Sequence, residues 1–125
     1  MAAPVVHFEI GFKDVEKGKK FYGPLLGWEF ESYGPAAMLS NIGRPGEKGE
    51  PAMGIGGHLN ALGHEPHNYC VVYALVEDLE GTIKQAEGLG GQCVVPPQEV
   101  PGMGHFSWLK DPEGNLFGLW KAAAQ

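Results

Sequence analysis

Three features of the chain predict an α+β fold made of two tandem βαβββ units. First, an apolar strand candidate, an aspartate and a helix-period stretch follow one another twice, once around Asp14 and again around Asp78. Second, an offset of 64 residues pairs Asp14 with Asp78, Glu16 with Glu80, Lys20 with Lys84, Leu25 with Leu89 and Gly27 with Gly91. These identities fall on the helix cap, the helix stripe and the helix stop, which is where a duplicated unit repeats its structural jobs. Third, the chain closes on DPEGNLFGLW, Asp111 to Trp120, where a turn-forming cluster lies between two apolar runs and reads as a five-residue hairpin connection. One domain over residues 1–125 is expected, with unit one at about 4–59, a linker at 60–67 and unit two at about 68–121. At that length it buries roughly two-thirds of its unfolded surface and needs no staple.

Local chemistry supports each element in turn. Val5 to Phe12 is a mostly apolar strand, and Asp14 offers an N-cap for a helix beginning at Val15. Val15, Tyr22, Leu25 and Leu26 approximate one helical face, Lys13, Lys17, Lys19 and Lys20 mark the wet side, and Gly23-Pro24 is expected to end or kink the helix. Strands are expected at Trp28 to Tyr33 and at Ala36 to Ile42, then a polar loop from Gly43 to Pro51 and a glycine-rich strand from Met53 to Leu59. Asn60 to His67, which includes His64, is polar and turn-rich and reads as a linker or crossover.

The pattern then restarts. Tyr69 to Val76 is a strand, Asp78 caps a helix with Leu79, Ile83, Ala86 and Leu89 as its buried stripe, and Gly90-Gly91 stops it. Further strands are expected at Gln92 to Val95, Phe106 to Leu109 and Leu116 to Lys121, with PPQEVPGMG, Pro96 to Gly104, as a loop. In the closing turn Pro112 presets φ near −65° and Gly114 supplies a positive φ.

Composition excludes several functions. Nine Lys and Arg stand against fifteen Asp and Glu, the net charge is −6, and Arg44 is the only arginine. Nucleic acid is therefore not an expected partner, and a bidentate arginine clamp on phosphate is poorly supplied. No apolar run approaches the roughly 18 residues of a membrane span and the N-terminus carries no signal-like segment, so a cytoplasmic protein without a membrane partner is expected. Cys70 and Cys93 are the only cysteines and are expected to be reduced, with Cys70 facing the helix as a small buried hydrophobe. The run GIGGHL lacks the Lys-Ser/Thr of a phosphate loop.

The first-half sequence FYGPLLGW, the matching second half and the closing DPEGNLFGLW together resemble the vicinal oxygen chelate superfamily, which includes glyoxalase I, bleomycin-resistance proteins and extradiol dioxygenases. The resemblance covers nearly the whole chain. It implies that the sheets curl into an open cup for a small molecule, that related proteins commonly dimerise, and that enzymatic members hold a divalent metal with one ligand from the first and last strand of each unit. Carried onto this sequence, the first-strand ligand position is His7 in unit one and Val71 in unit two. The last-strand position, four residues after the turn glycine Gly114, is Gly118, and subtracting the repeat offset gives Gly54 in unit one.

Only one of those four positions carries a donor side chain, so no metal or other cofactor is expected. A catalytic zinc wants three protein ligands, and a divalent metal is disfavoured here. A rearranged site from His7, Glu9 and His58 is the remaining metal arrangement, since residues two apart on a strand share a face. By the same alternation His7, Glu9, Gly54, Gly56, His58, Val71, Tyr73, Leu116, Gly118 and Trp120 line the cup, an apolar and aromatic surface with a few polar groups. Glycine in place of a carboxylate is expected to leave room for a ligand.

Two functions follow as expectations. One is a metal-independent binding protein for a small apolar or aromatic compound, acting as a homodimer. The other is a glyoxalase-like lyase or isomerase, or a dioxygenase, that uses His7 and Glu9 as catalytic groups with or without a non-standard metal site.

Overall fold

The computed structural model describes residues 2–45, 48–63, 65 and 67–124. Contacts divide the chain into two compact units, His7–Cys70 and Val71–Gln125 together with Met1–Val6. Each contains one helix packed on its own strands, so the α+β class and the repeated order strand, helix, three strands are as the sequence predicts.

The His7–Cys70 unit carries most of β1 (Val5–Phe12), α1 (Val15–Leu26), β2 (Phe30–Tyr33), β3 (Ala36–Leu39) and β4 (Gly56–Ala61). Its strands run in the order β2-β3-β4-β1. The β1–β4 pair is parallel, with Glu9 opposite His58, and β3 is antiparallel to β4, with Met38 opposite His58. Asp14 caps α1 by accepting a hydrogen bond from the Glu16 N–H. Gly18 lets the helix approach the sheet, because a Cβ there would lie 2.8 Å from the Phe12 ring and 3.0 Å from Leu59. Leu59, Ala37 and Leu39 are buried on that side, and the Tyr22 and Trp28 rings stack with centroids 5.2 Å apart.

α1 does not stop at Gly23-Pro24. It continues to Leu26 and ends where Gly27 adopts φ 70° and donates its N–H to the Gly23 carbonyl. Left-handed glycine is the stronger stop signal here, and the helix accommodates a proline in its last turn. Leu25 and Leu26 stay exposed, as does Leu89 of the repeat, so the expected helical stripes are shorter than the apolar pattern implies.

The second unit contains most of β5 (Cys70–Leu75), α2 (Leu79–Gly88), β6 (Gln92–Val100), β7 (Gly104–Lys110) and β8 (Leu116–Ala122), in the strand order β5-β8-β7-β6. Asp78 caps α2 through the Gly81 N–H. Leu79 and Ile83 pack on Leu109 and Leu119, with Ala86, Cys93 and Phe117 around them. The Asp111 carboxylate accepts from the backbone of Glu113 and Asn115, and Gly114 has φ 89°, so the closing turn forms as its residues dictate.

Pro96 to Val100 belongs to β6, where a loop was expected. The strand is at the edge and its register to β7 shifts between Cys93 and Val95 and again between Val95 and Gln98. An edge position with bulges is where a strand tolerates two prolines, since a missing N–H breaks no inner ladder. Cys70 is exposed rather than buried. His64 of the expected linker lies outside the described residues.

Candidate functional site

The sheet face of the first unit carries a chain of polar side chains. Strand alternation puts His7, Glu9 and Gly11 on one side of β1, and the parallel register sets Gly56, His58 and Asn60 of β4 opposite them. His7 Nε2 and His58 Nδ1 are 2.7 Å apart, and His58 Nε2 lies 3.2 Å from Glu9 Oε1. The Tyr69 hydroxyl donates to Glu9 Oε2, and Asn60 Nδ2 donates to the Tyr69 hydroxyl over 3.3 Å. Five side chains from β1, β4 and the segment before β5 are thus joined end to end.

Each member's environment has a physical cause. Glu9 is only 5 % exposed, and donors reach both of its oxygens, as a buried carboxylate requires. Burial, reinforced by neighbouring His58 and opposed by Glu9, lowers the pKa of His7 to about 4. Burial and the hydrogen bond to Glu9 push the Tyr69 hydroxyl well above its ordinary range, so it keeps its proton and donates. Tyr69 also closes over the sheet. Its ring lies against Gly11, where a Cβ would come within 2.2 Å of it, and its carbonyl accepts the Gly11 N–H.

Tyr69 and Asn60 were not singled out as site residues by the sequence. Tyr69 looks like the first residue of an apolar strand, and Asn60 like the start of a linker. The contact of Tyr69 with Glu9 joins residues 60 apart and has no periodic signature. A usable signal lay in Gly11, a glycine inside a strand, which marks a close approach.

The second unit presents a different face. Gly118 pairs with Tyr73 on β5 and with Trp108 on β7. The Tyr73 ring covers Gly118 so closely that a Cβ there would lie 2.4 Å from it, and the Trp108 indole N–H donates to the Tyr73 hydroxyl over 2.7 Å. Tyr73 and Trp108 are 4 % and 7 % exposed. Gly118 therefore leaves no open space for a ligand, contrary to the expectation from its small size. Val71 is buried, while Leu116 and Trp120 are half-buried.

The register also revises the equivalence drawn from the repeat. Tyr73 opposes Gly118 in the second unit, and Glu9, its counterpart at the repeat offset, opposes His58 in the first. His58, not Gly54, is thus the counterpart of Gly118. Gly54 precedes β4 and has φ 75°. The offset of 64 holds at the helix caps and is four residues shorter at the last strand.

The four ligand positions implied by the sequence resemblance are then His7, His58, Val71 and Gly118. Two imidazoles are present, a valine and a ring-covered glycine fill the other places, and Glu9 supplies a carboxylate beside the first pair. The donors do not converge. His58 stands between His7 and Glu9 with one ring nitrogen directed at each, and among the described residues no group of three or more His, Cys, Asp or Glu side chains is placed to hold a metal ion. This donor set does not fit a metal site with three protein ligands.

Residues 5–119 match the Glyoxalase/Bleomycin resistance protein/Dioxygenase superfamily. A putative glyoxylase of Mycobacterium tuberculosis, CFP32, is 38% identical over 58 residues, 46% of this chain and 22% of that protein. The anthracycline biosynthesis protein DnrV of Streptomyces peucetius is 25% identical over 91% of this chain and 45% of its own length. The chain thus spans less than half the length of either relative. The crystal structure of a superfamily member from Vibrio splendidus superposes with a TM-score of 0.62 at 16% identity, covering 96% of this chain and 99% of that one. With two βαβββ units, matching solved structures and a family match over nearly its whole length, the chain belongs to the glyoxalase/bleomycin resistance protein/dioxygenase superfamily.

Proposed function

We propose that the protein is a metal-independent small-molecule-binding member of this superfamily, for a small, largely apolar or aromatic compound. The observation that carries this reading is the Tyr73 ring on Gly118, fastened by Trp108. It puts an aromatic core where a last-strand ligand would stand. In the first unit the donors are engaged with one another instead of aimed at a common point. Trp120, Leu116 and Phe106, half-buried on the strands around Gly118, supply apolar surface for a ligand in the second unit. The site is taken to work in a homodimer.

Titration with a naphthalene-type hydrophobic dye tests the ligand class. Tryptophan fluorescence is expected to be quenched, and Trp120→Leu is expected to lose at least half of that quenching. Equal quenching in the variant, or none in the native protein, contradicts the reading.

A further inference from the structure

The order of atoms in the polar chain of the first unit dictates where its protons sit. Glu9 presents only acceptor oxygens once ionised, and both are occupied, one by the Tyr69 hydroxyl and the other by His58 Nε2. A nitrogen facing a carboxylate carries the hydrogen, so neutral His58 has its proton on Nε2 and a lone pair on Nδ1. That lone pair faces His7 Nε2 at 2.7 Å, so His7 must be the donor there, and its own hydrogen is also on Nε2. The tautomer of one ring fixes the next. The start of this order is Glu9, and Tyr69, which has a single hydroxyl hydrogen, gives it to the other carboxylate oxygen. Asn60 Nδ2 enforces that direction by donating to the same hydroxyl oxygen.

We propose that Glu9, held by Tyr69, is a positioning residue which, acting through His58, locks His7 as its Nε2–H tautomer, so that the acceptor nitrogen of His7 is Nδ1. The hydrogen-bond order itself can be read without any ligand.

Ring-nitrogen NMR on the labelled full chain near neutral pH tests it. In the native protein both imidazoles are expected to show a protonated Nε2 and an unprotonated Nδ1. Glu9→Gln is the informative variant. With Tyr69 still donating to the amide oxygen, the Gln NH2 is turned toward His58 and must meet a lone pair. The hydrogens of both rings are then expected to move to Nδ1. In Tyr69→Phe the carboxylate of Glu9 still accepts from His58, so both rings are expected to keep their hydrogen on Nε2, whereas in Glu9→Gln with Tyr69→Phe the amide is free to turn over and a mixture of tautomers is expected in both rings.

A merely structural role for Glu9 would leave the ring nitrogens of Glu9→Gln as they are in the native protein. Native rings with any other proton placement overturn the proposal whether or not the variants fold, and so does a folded Glu9→Gln protein with both hydrogens still on Nε2. Loss of dye binding with the native tautomers intact would instead count against the functional reading alone.

Discussion

Two tyrosines decide the chemistry of the two sheet faces, and each does so by lying on a glycine. Tyr73 on Gly118 closes one face, and Tyr69 on Gly11 delivers a hydroxyl to Glu9 on the other. Gly118→Ala is therefore expected to destabilise the fold by about 1–3 kcal/mol, the range for overpacking, because the Tyr73 ring is held by Trp108 and has little freedom to yield. A denaturant midpoint unchanged by the substitution would contradict the closed face. His7 gives a pH signature. Its folded pKa of about 4 lies below the ordinary 6.5, so between those values the unfolded chain binds a proton that the folded chain refuses. Its contribution to stability is fully present above pH 6.5 and is lost as pH falls toward 4. His7→Gln is expected to lose less stability than the native protein over that window, measured by urea unfolding, and parallel losses would exclude His7 as the source.

The helices and the closing hairpin were legible because their signals are local. Asp14 and Asp78 cap where expected, Gly27 stops α1, and Asp111–Asn115 forms its turn. The misjudged segments were those where long-range pairing overrides local preference. Pro96 and Pro97 enter β6 because that edge has bulges to hold them. Leu89 stays exposed because α2 ends at Gly88. The α2 cap offers a test of additivity. A Cβ at Gly81 would lie 2.1 Å from the Asp78 carboxylate that the Gly81 N–H binds. Asp78→Ala is expected to cost about 1 kcal/mol, the usual value of an N-cap. Gly81→Ala is expected to displace the same cap, so thermal unfolding of the double variant should show less than the sum of the two losses. Strict additivity would mean that the glycine has no part in the cap.

Across the whole chain, the duplication was readable from sequence while the register of its last strands was not. A constant offset carried Asp14 onto Asp78 but placed Gly54 where strand pairing places His58, since loop lengths are invisible to an offset. Of the residues expected to line the cup, His7, Glu9, Gly56 and His58 share one face, and Tyr73 and Gly118 another, where Trp108, not among those expected, stands beside them. What sequence could not supply was contact between side chains far apart in the chain, and those contacts join two histidines and a carboxylate to one another. The central claim is that this member of the superfamily binds its ligand without a metal, and elemental analysis of protein purified without chelator tests it most directly. Well under about one-tenth of a metal ion per chain is expected, because the donor set lacks three converging ligands. Near-stoichiometric zinc, nickel, manganese or iron, lost on replacing His7 and His58, would contradict it.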